Sequence, residues 1–200
     1  MHLRHLPVLF FVVCGTVSSL ASEPGQKTVK RTKAPAIDRL DEAGFSQLHH
    51  AVKAGDLQRV RELLQDGANP NVRQAEFQGT PLQYASATGN TKVIEELIEF
   101  GAQVDLTDTH GRTPLMWAAM KNQSAAAKLL ISADADLNRP MHGSWTALHY
   151  AAQAGSSNIA QLLVDSGANV WQKNSHGQTA VDINRDLEVS VPWAALKSQP

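Results

Sequence analysis

Gly111–Ala119 reads G-R-T-P-L-M-W-A-A, and this stretch decides the fold. Thr113 suits a helix N-cap, because its hydroxyl can accept a hydrogen bond from a backbone N–H of the first turn. Pro114 follows at the first helical position, where it has no hydrogen bond to lose and its φ is already helical. Leu115, Ala118 and Ala119 then give the helix a small apolar face. The phrase recurs as G-T-P-L-Q-Y-A-S from Gly79, W-T-A-L-H-Y-A-A from Trp145 and F-S-Q-L-H-H-A-V from Phe45. A degraded copy begins at Gly177 as G-Q-T-A-V-D-I. The register residues Leu48, Leu82, Leu115, Leu148 and Val181 follow one another at 34, 33, 33 and 33 positions. One period held through five copies is a repeat array.

Each copy reads as two short antiparallel helices. Asn122 stands where the other copies have Gly55, Gly89 and Gly155, a slot that asks for a left-handed residue to end the first helix. The second helices carry apolar pairs at matching places: Leu63-Leu64, Leu97-Ile98, Leu130-Ile131 and Leu163-Val164. They end in Gly67-Ala68, Gly101-Ala102, Asp134-Ala135 and Gly167-Ala168, so Asp134 is the outlier at a left-handed position. The segment before each Thr-Pro-Leu, such as L-T-D-T-H-G from Leu106, is polar and turn-rich and predicts a hairpin-like finger. No single pair of helices this short can bury its apolar face alone, so neighbouring copies must pack together.

The period of about 33, the T-P-L-H-x-A phrase and the Gly-Ala ending of the second helix resemble the ankyrin-repeat signature. The resemblance covers about residues 41–190, with repeats at about 44–77, 78–110, 111–143 and 144–176 and a partial capping repeat at 177–190. It implies an all-α ankyrin solenoid with a concave binding surface built from first helices and fingers. Departures are modest. His49 and His149 keep the family histidine, whereas Gln83, Met116 and Asp182 replace it, so the resemblance does not carry that hydrogen bond to those three copies. Ser46-Gln47 stands for Thr-Pro in the first copy, and an extra residue lengthens the finger around Glu76-Phe77. Trp171 takes the place held by Asn71, Asp105 and Asn138.

The resemblance also maps a groove. The position after the family histidine reads His50, Tyr84, Trp117 and Tyr150, and the position before the Thr reads Phe45, Gly79, Arg112, Trp145 and Gln178. The candidate partner-binding residues are therefore Phe45, His50, Tyr84, Arg112, Trp117, Trp145, Tyr150 and Gln178, centred on Trp145 with Arg112 and Trp117 beside it. Trp, Tyr and Arg dominate binding hot spots, because they offer large area or planar hydrogen bonding at modest entropy cost. The Tyr84–Trp117–Tyr150 ladder has a second reading, as packing between neighbouring first helices.

Outside the repeats the chain changes character. Arg4 precedes an apolar run over residues 6–17, and Ser19-Leu20-Ala21 follows with small residues at the two positions that a signal peptidase reads. This order predicts a secretory signal peptide over residues 1–21, cleaved after Ala21. The run is short of the ~20 residues that span a bilayer, which argues against a permanent anchor. Cys14, the single cysteine, would leave with it. Residues 22–40 read as a basic flexible linker, and residues 191–200 as a C-terminal tail.

The chain has 18 basic and 19 acidic residues, a formal net charge of −1 that offers no footprint for nucleic acid. His110, His142 and His176 near the finger glycines have the look of a metal or proton-relay array. Stacked helices lie about 8–10 Å apart, whereas zinc draws its ligands to about 2 Å from one ion. The sequence has no G-x-S-x-G, H-E-x-x-H or glycine-rich phosphate loop. The expectation is a monomeric, cofactor-free, non-enzymatic adaptor in a periplasm or secreted, with another protein as partner. Two alternatives stand beside it: a stoichiometric inhibitor or protective cofactor of an exported enzyme, and a histidine-dependent hydrolase.

Overall fold

The computed structural model describes residues 36–184. The signal segment, most of the linker and everything after Asn184, including Leu187 and the tail, lie outside the described residues. Within them the element order is a 3-10 helix Ala36–Asp38, then α1 Gln47–Ala54, α2 Leu57–Gln65, α3 Pro81–Thr88, α4 Thr91–Glu99, α5 Pro114–Met120, α6 Ser124–Ser132, α7 Ala147–Gln153, α8 Ser157–Asp165 and α9 Ala180–Ile183. The first helices α1, α3, α5, α7 and α9 pack in one row and the second helices α2, α4, α6 and α8 in another.

Caps set the boundaries that the repeated phrase predicts. Thr113 Oγ1 accepts from the Met116 N–H at 3.3 Å, and Thr80 Oγ1 from the Gln83 N–H at 3.4 Å. Asn122 adopts φ +54° at the end of the third first helix, the left-handed conformation its place demands. The core is the seam between the rows, where Leu48, Leu82, Leu115 and Leu148 are buried beside Leu63, Leu97, Leu130 and Leu163. Across the second helices, the Arg61 fork of α2 meets Glu96 of α4 through Nε at 3.0 Å and Nη2 at 2.7 Å.

Asp134 ends α6 at φ +60°, where Gly101 and Gly167 end the neighbouring second helices. A side chain held in that region costs roughly 1 kcal/mol that glycine does not incur. Asp134 is exposed, and its own carboxylate caps nothing that glycine would lose. Asp134→Gly is therefore expected to raise stability by roughly 1 kcal/mol in urea melts. An unchanged or lowered midpoint would show that the left-handed turn is unstrained.

The fingers are turns rather than strands, and among the described residues no strand is present. Each turn is closed by two backbone bonds, such as Asp108 N–H to Arg112 O at 3.1 Å with Gly111 N–H to Asp108 O at 3.0 Å, or Met141 N–H to Trp145 O at 2.8 Å with Ser144 N–H to Met141 O at 2.9 Å. Single backbone bonds also tie each finger to the next, as from Thr109 N–H to Phe77 O at 3.0 Å and from His142 N–H to His110 O at 3.3 Å. One bond per pair is too few for a ladder, so the hairpin-like prediction holds in outline and not in strand pairing.

A histidine bridge joins successive repeats. His49 Nδ1 accepts from the Ser46 N–H and hydroxyl at 3.3 and 2.9 Å, while Nε2–H donates to the Gly79 carbonyl at 3.1 Å. His149 does the same between Thr146 and the Gln178 carbonyl. Gln83 supplies the bridge that its lack of an imidazole put in question. Its Oε1 accepts from the Thr80 N–H at 2.9 Å, and its amide donates to Leu106 O and Arg112 O at 2.9 and 2.8 Å. Asp182 keeps the capping half, accepting from the Thr179 N–H at 2.8 Å. Met116 has no polar group for either half and is simply buried.

A second set of staples has the same period. Asn71 Oδ1 accepts from the Gln103 N–H, Asp105 from the Asp136 N–H and Asn138 Oδ1 from the Asn169 N–H, at 2.8, 3.1 and 2.7 Å respectively. Asp38 makes the equivalent contact one period earlier, accepting from the Asn69 N–H at 3.0 Å, and Ile37 packs against the core. Residues that the sequence places in the linker thus act as the last fragment of a repeat and cover the first one.

Candidate partner-binding groove

The groove is built on one finger, residues 108–112. Asp108 begins it, with its side chain only 1% exposed. Its Oδ1 accepts from the backbone N–H groups of His110 and Arg112 at 2.9 and 3.0 Å, which folds the turn. Its Oδ2 accepts from Arg112 Nε at 2.8 Å and from the Trp117 indole N–H at 3.2 Å. The carboxylate so fixed orients both candidate side chains. The Arg112 guanidinium lies 4.2 Å from the centre of the Trp117 ring, a cation–π stack.

Beside this stack is a cleft of about 240 Å³ lined by Phe77, Gly79, Gln83, Tyr84, Ala87, Asp108, Arg112 and Trp117. Gly79 makes room for it, because a Cβ there would lie 3.1 Å from the Tyr84 ring. The extra residue in the second finger raises Phe77, which is 46% exposed and stacks on His110 at 6.3 Å. Phe77 was not among the sequence candidates. The signal for it was the single spacing of 34 in a series of 33. Asp108 was not among the sequence candidates either, although Asp41 and Asn174 occupy the same finger position and fold their turns in the same way.

The eight candidates fall into separate groups. Tyr84, Arg112 and Trp117 share the cleft. Trp145 and Tyr150 line a second, shallower recess of about 300 Å³ with Met141, His142 and His176. Their rings are 5.3 Å apart, and the Tyr150 hydroxyl donates to Met141 Sδ at 2.6 Å. Trp145 also rests on His149 at 5.8 Å, so this ring supports its own repeat as well as facing outward. Phe45 packs on Tyr84 at 5.8 Å from the first finger, and the Lys53 amine lies 4.1 Å over the Phe45 ring. His50 is exposed and paired with Asp41 at 2.6 Å. Gln178 is exposed on the last finger, where its side-chain Oε1 accepts from Asn174 Nδ2 at 3.3 Å.

The aromatic ladder is therefore not one continuous stack. Its rings pack against fingers, Tyr84 on Phe45, Trp117 on Arg112 and Tyr150 on Trp145, and all three remain half-buried. Burial raises the pKa of both Tyr84 and Tyr150, which keeps the phenols protonated as hydrogen-bond donors. A half-buried aromatic beside a fixed Arg offers apolar area together with donors whose entropy is already spent, which is the chemistry of protein recognition. His110, His142 and His176 are exposed, each on its own finger. Among the described residues no three His, Cys, Asp or Glu side chains converge as metal ligands would.

Comparison with known proteins bears on the same residues. A family profile described as ankyrin repeats in three copies matches residues 48–141, and a single ankyrin repeat matches residues 144–175. Similar stretches occur in glycerophosphocholine phosphodiesterase gde1 of Schizosaccharomyces pombe, 38% identical over 76 residues, covering 38% of this chain and 7% of that protein. The human ARF GTPase-activating protein GIT1 is 39% identical over 67 residues, covering 34% of this chain and 9% of its own length. The mouse ankyrin repeat and SOCS box protein 1 is 36% identical over 81 residues, covering 37% and 24% respectively. The chain spans less than a quarter of the length of these relatives, and the likeness lies in the repeats they share. Ankyrin repeats are protein–protein interaction modules, and the period, the caps, the bridges between repeats and both profile matches put this chain in the ankyrin-repeat family.

Proposed function

We propose that this chain is a non-enzymatic adaptor that binds another protein along the face formed by its first helices and fingers. The observation that carries the reading is the pinned Arg112–Trp117 stack on the wall of a cleft that Tyr84 and Phe77 complete. Binding centres on this cleft, and Trp145 and Tyr150 extend it along the array as a second contact. The partner meets a monomeric array with no cofactor between them. Affinity capture with the full mature chain as bait, from the compartment in which it resides, tests the reading. A stoichiometric protein partner supports it, and turnover of a small molecule by the purified chain alone would contradict it.

That compartment is outside the cytoplasm, in a periplasm or beyond the cell. The support is the charged–apolar–small order of residues 1–21, followed by a chain without thiols. Among the described residues no helix is long and apolar enough to cross a membrane. Mass spectrometry of protein from its native host should find Ser22 at the N-terminus. An intact Met1 in the cytosolic fraction would overturn the assignment.

A further inference from the structure

The cleft has one wall on the second finger and one on the third, so its width depends on what fixes these two fingers to each other. Phe77 and Gly79 come from residues 74–79, and Asp108 and Arg112 from residues 108–112. Neighbouring fingers share one backbone bond, here from Thr109 N–H to Phe77 O at 3.0 Å. This pair has a second tie. The Arg73 guanidinium donates through Nη1 to the Gln78 carbonyl at 3.2 Å and to the Thr107 carbonyl at 2.7 Å. Gln78 stands between Phe77 and Gly79, and Thr107 immediately precedes Asp108, so the two carbonyls adjoin the two walls. Arg73 itself does not line the cleft.

The clamp answers a local need. The finger residue two places before the capping Ser or Thr is left-handed in every copy, and it reads Gly44, Gln78, Gly111, Ser144 and Gly177. Gln78, at φ +54°, lacks glycine's freedom there, and it stands in the finger that carries the extra residue. Its carbonyl is held by Arg73, and its side-chain amide donates to Gln74 O and Ala75 O at 3.2 and 3.0 Å. The places matching Arg73 hold Leu40, Thr107, Pro140 and Lys173, so among the described residues the clamp is confined to this pair of fingers.

Resting on the groove reading above, we infer that Arg73 is a positioning residue, which fixes the separation of the second and third fingers and keeps the cleft in its binding form before a partner arrives. Hydrogen bonds from a charged, planar group are stronger than neutral ones, and the group loses little freedom in forming them. A site held in advance needs no ordering when the partner binds. A site that opens and closes binds only through the fraction of molecules that are open. Loss of the clamp therefore lowers the competent fraction and slows association. Dissociation is governed by contacts that Arg73 does not make, so it stays as it was.

The test uses the full mature chain and dodecapeptides selected on it from a random phage library, keeping those that Trp117→Ala no longer binds. Arg73→Met removes both bonds and keeps the aliphatic stem. It is expected to bind these peptides at least about five-fold more weakly, through slower association, with the urea midpoint little changed. Arg73→Lys, whose amine still donates, should recover part of the loss. Without any peptide, amide exchange of Thr109 should quicken in Arg73→Met, while that of His142, which makes the matching bond between the third and fourth fingers, stays the same. Unaltered binding with unaltered Thr109 exchange would overturn the inference and leave the groove reading intact. So would faster dissociation, which would put Arg73 in contact with the peptide, or a fall in midpoint large enough to explain the weaker binding. A library that yields no peptide dependent on Trp117 would overturn the groove reading itself, and Thr109 exchange then decides alone whether Arg73 holds the fingers.

Discussion

Leu115→Ala is expected to lower the free energy of unfolding by roughly 2–5 kcal/mol, the largest effect of any single truncation considered. Leu115 is fully buried, and α5 packs on α3, α6 and α7, so the lost methyl groups leave a void with walls from three helices. Neighbours already tied by finger bonds and by the Gln83 bridge cannot move in far to close it. The damage should also spread, because a repeat array holds together through nearest-neighbour interfaces and the third repeat is its middle. Urea titration followed by circular dichroism gives the magnitude, and hydrogen exchange gives the spread. Amides of α3 and α7 should lose protection together with those of α5. A loss well under 1 kcal/mol would mean that the register assigned to Leu115 is wrong.

Acid should weaken the array through His49. Burial pushes this imidazole from 6.5 down to about 4, outweighing the Gly79 carbonyl, which favours the charged form. The geometry agrees, since protonating Nδ1 would turn the acceptor of the Ser46 N–H and hydroxyl into a donor facing donors. Between those two values the unfolded chain binds the proton and the folded chain does not. Stability is therefore full above about pH 6.5 and is lost as the pH falls towards 4. The separation corresponds to about 3 kcal/mol, all from a group with no solvent exposure to screen it. His149 is shifted in the same direction, again chiefly by burial, and adds to the slope. Because Gln83 makes the same bridge without titrating, His49→Gln should flatten the pH dependence and keep stability at pH 7 within about 1 kcal/mol. Melts of the two proteins from pH 7 to 4 decide it, and parallel curves would remove His49 as the cause.

The fold was legible because its rules are local. Thr113 and Pro114 start a helix wherever they stand, and Asn122 and Asp134 end one by turning left-handed. The equal spacing of Leu48, Leu82, Leu115 and Leu148 then fixes what faces the core. The site was legible only as a list of residues on one face. That Trp117 and Trp145 line different recesses depends on how side chains settle across neighbouring fingers, which spacing does not encode. Phe77 became a wall because one inserted residue lifted its finger, and the insertion was visible without its consequence. Asp108 and Asp38 were both in register with residues of the same role, Asp38 33 positions before Asn71 and Asp108 two periods from Asp41 and Asn174. They were missed because a carboxylate in a polar segment reads as solvated until its backbone partners are seen. Gln83 shows the same point for chemistry, since an amide can replace an imidazole wherever one acceptor and one donor are needed.

The central claim is that recognition happens in the cleft between the second and third fingers. The direct measurement is calorimetric titration of the captured partner against the unmodified chain, Trp117→Ala, and a His142→Ala, His176→Ala double variant, each first shown to be folded at the titration temperature. Trp117→Ala should weaken binding by more than about 2 kcal/mol, roughly thirty-fold, through loss of the ring and of the surface on which Arg112 lies. The double histidine variant should bind within about two-fold of the unmodified chain. Normal binding by Trp117→Ala together with failure of the histidine variant would contradict the account and move the site to the finger tips.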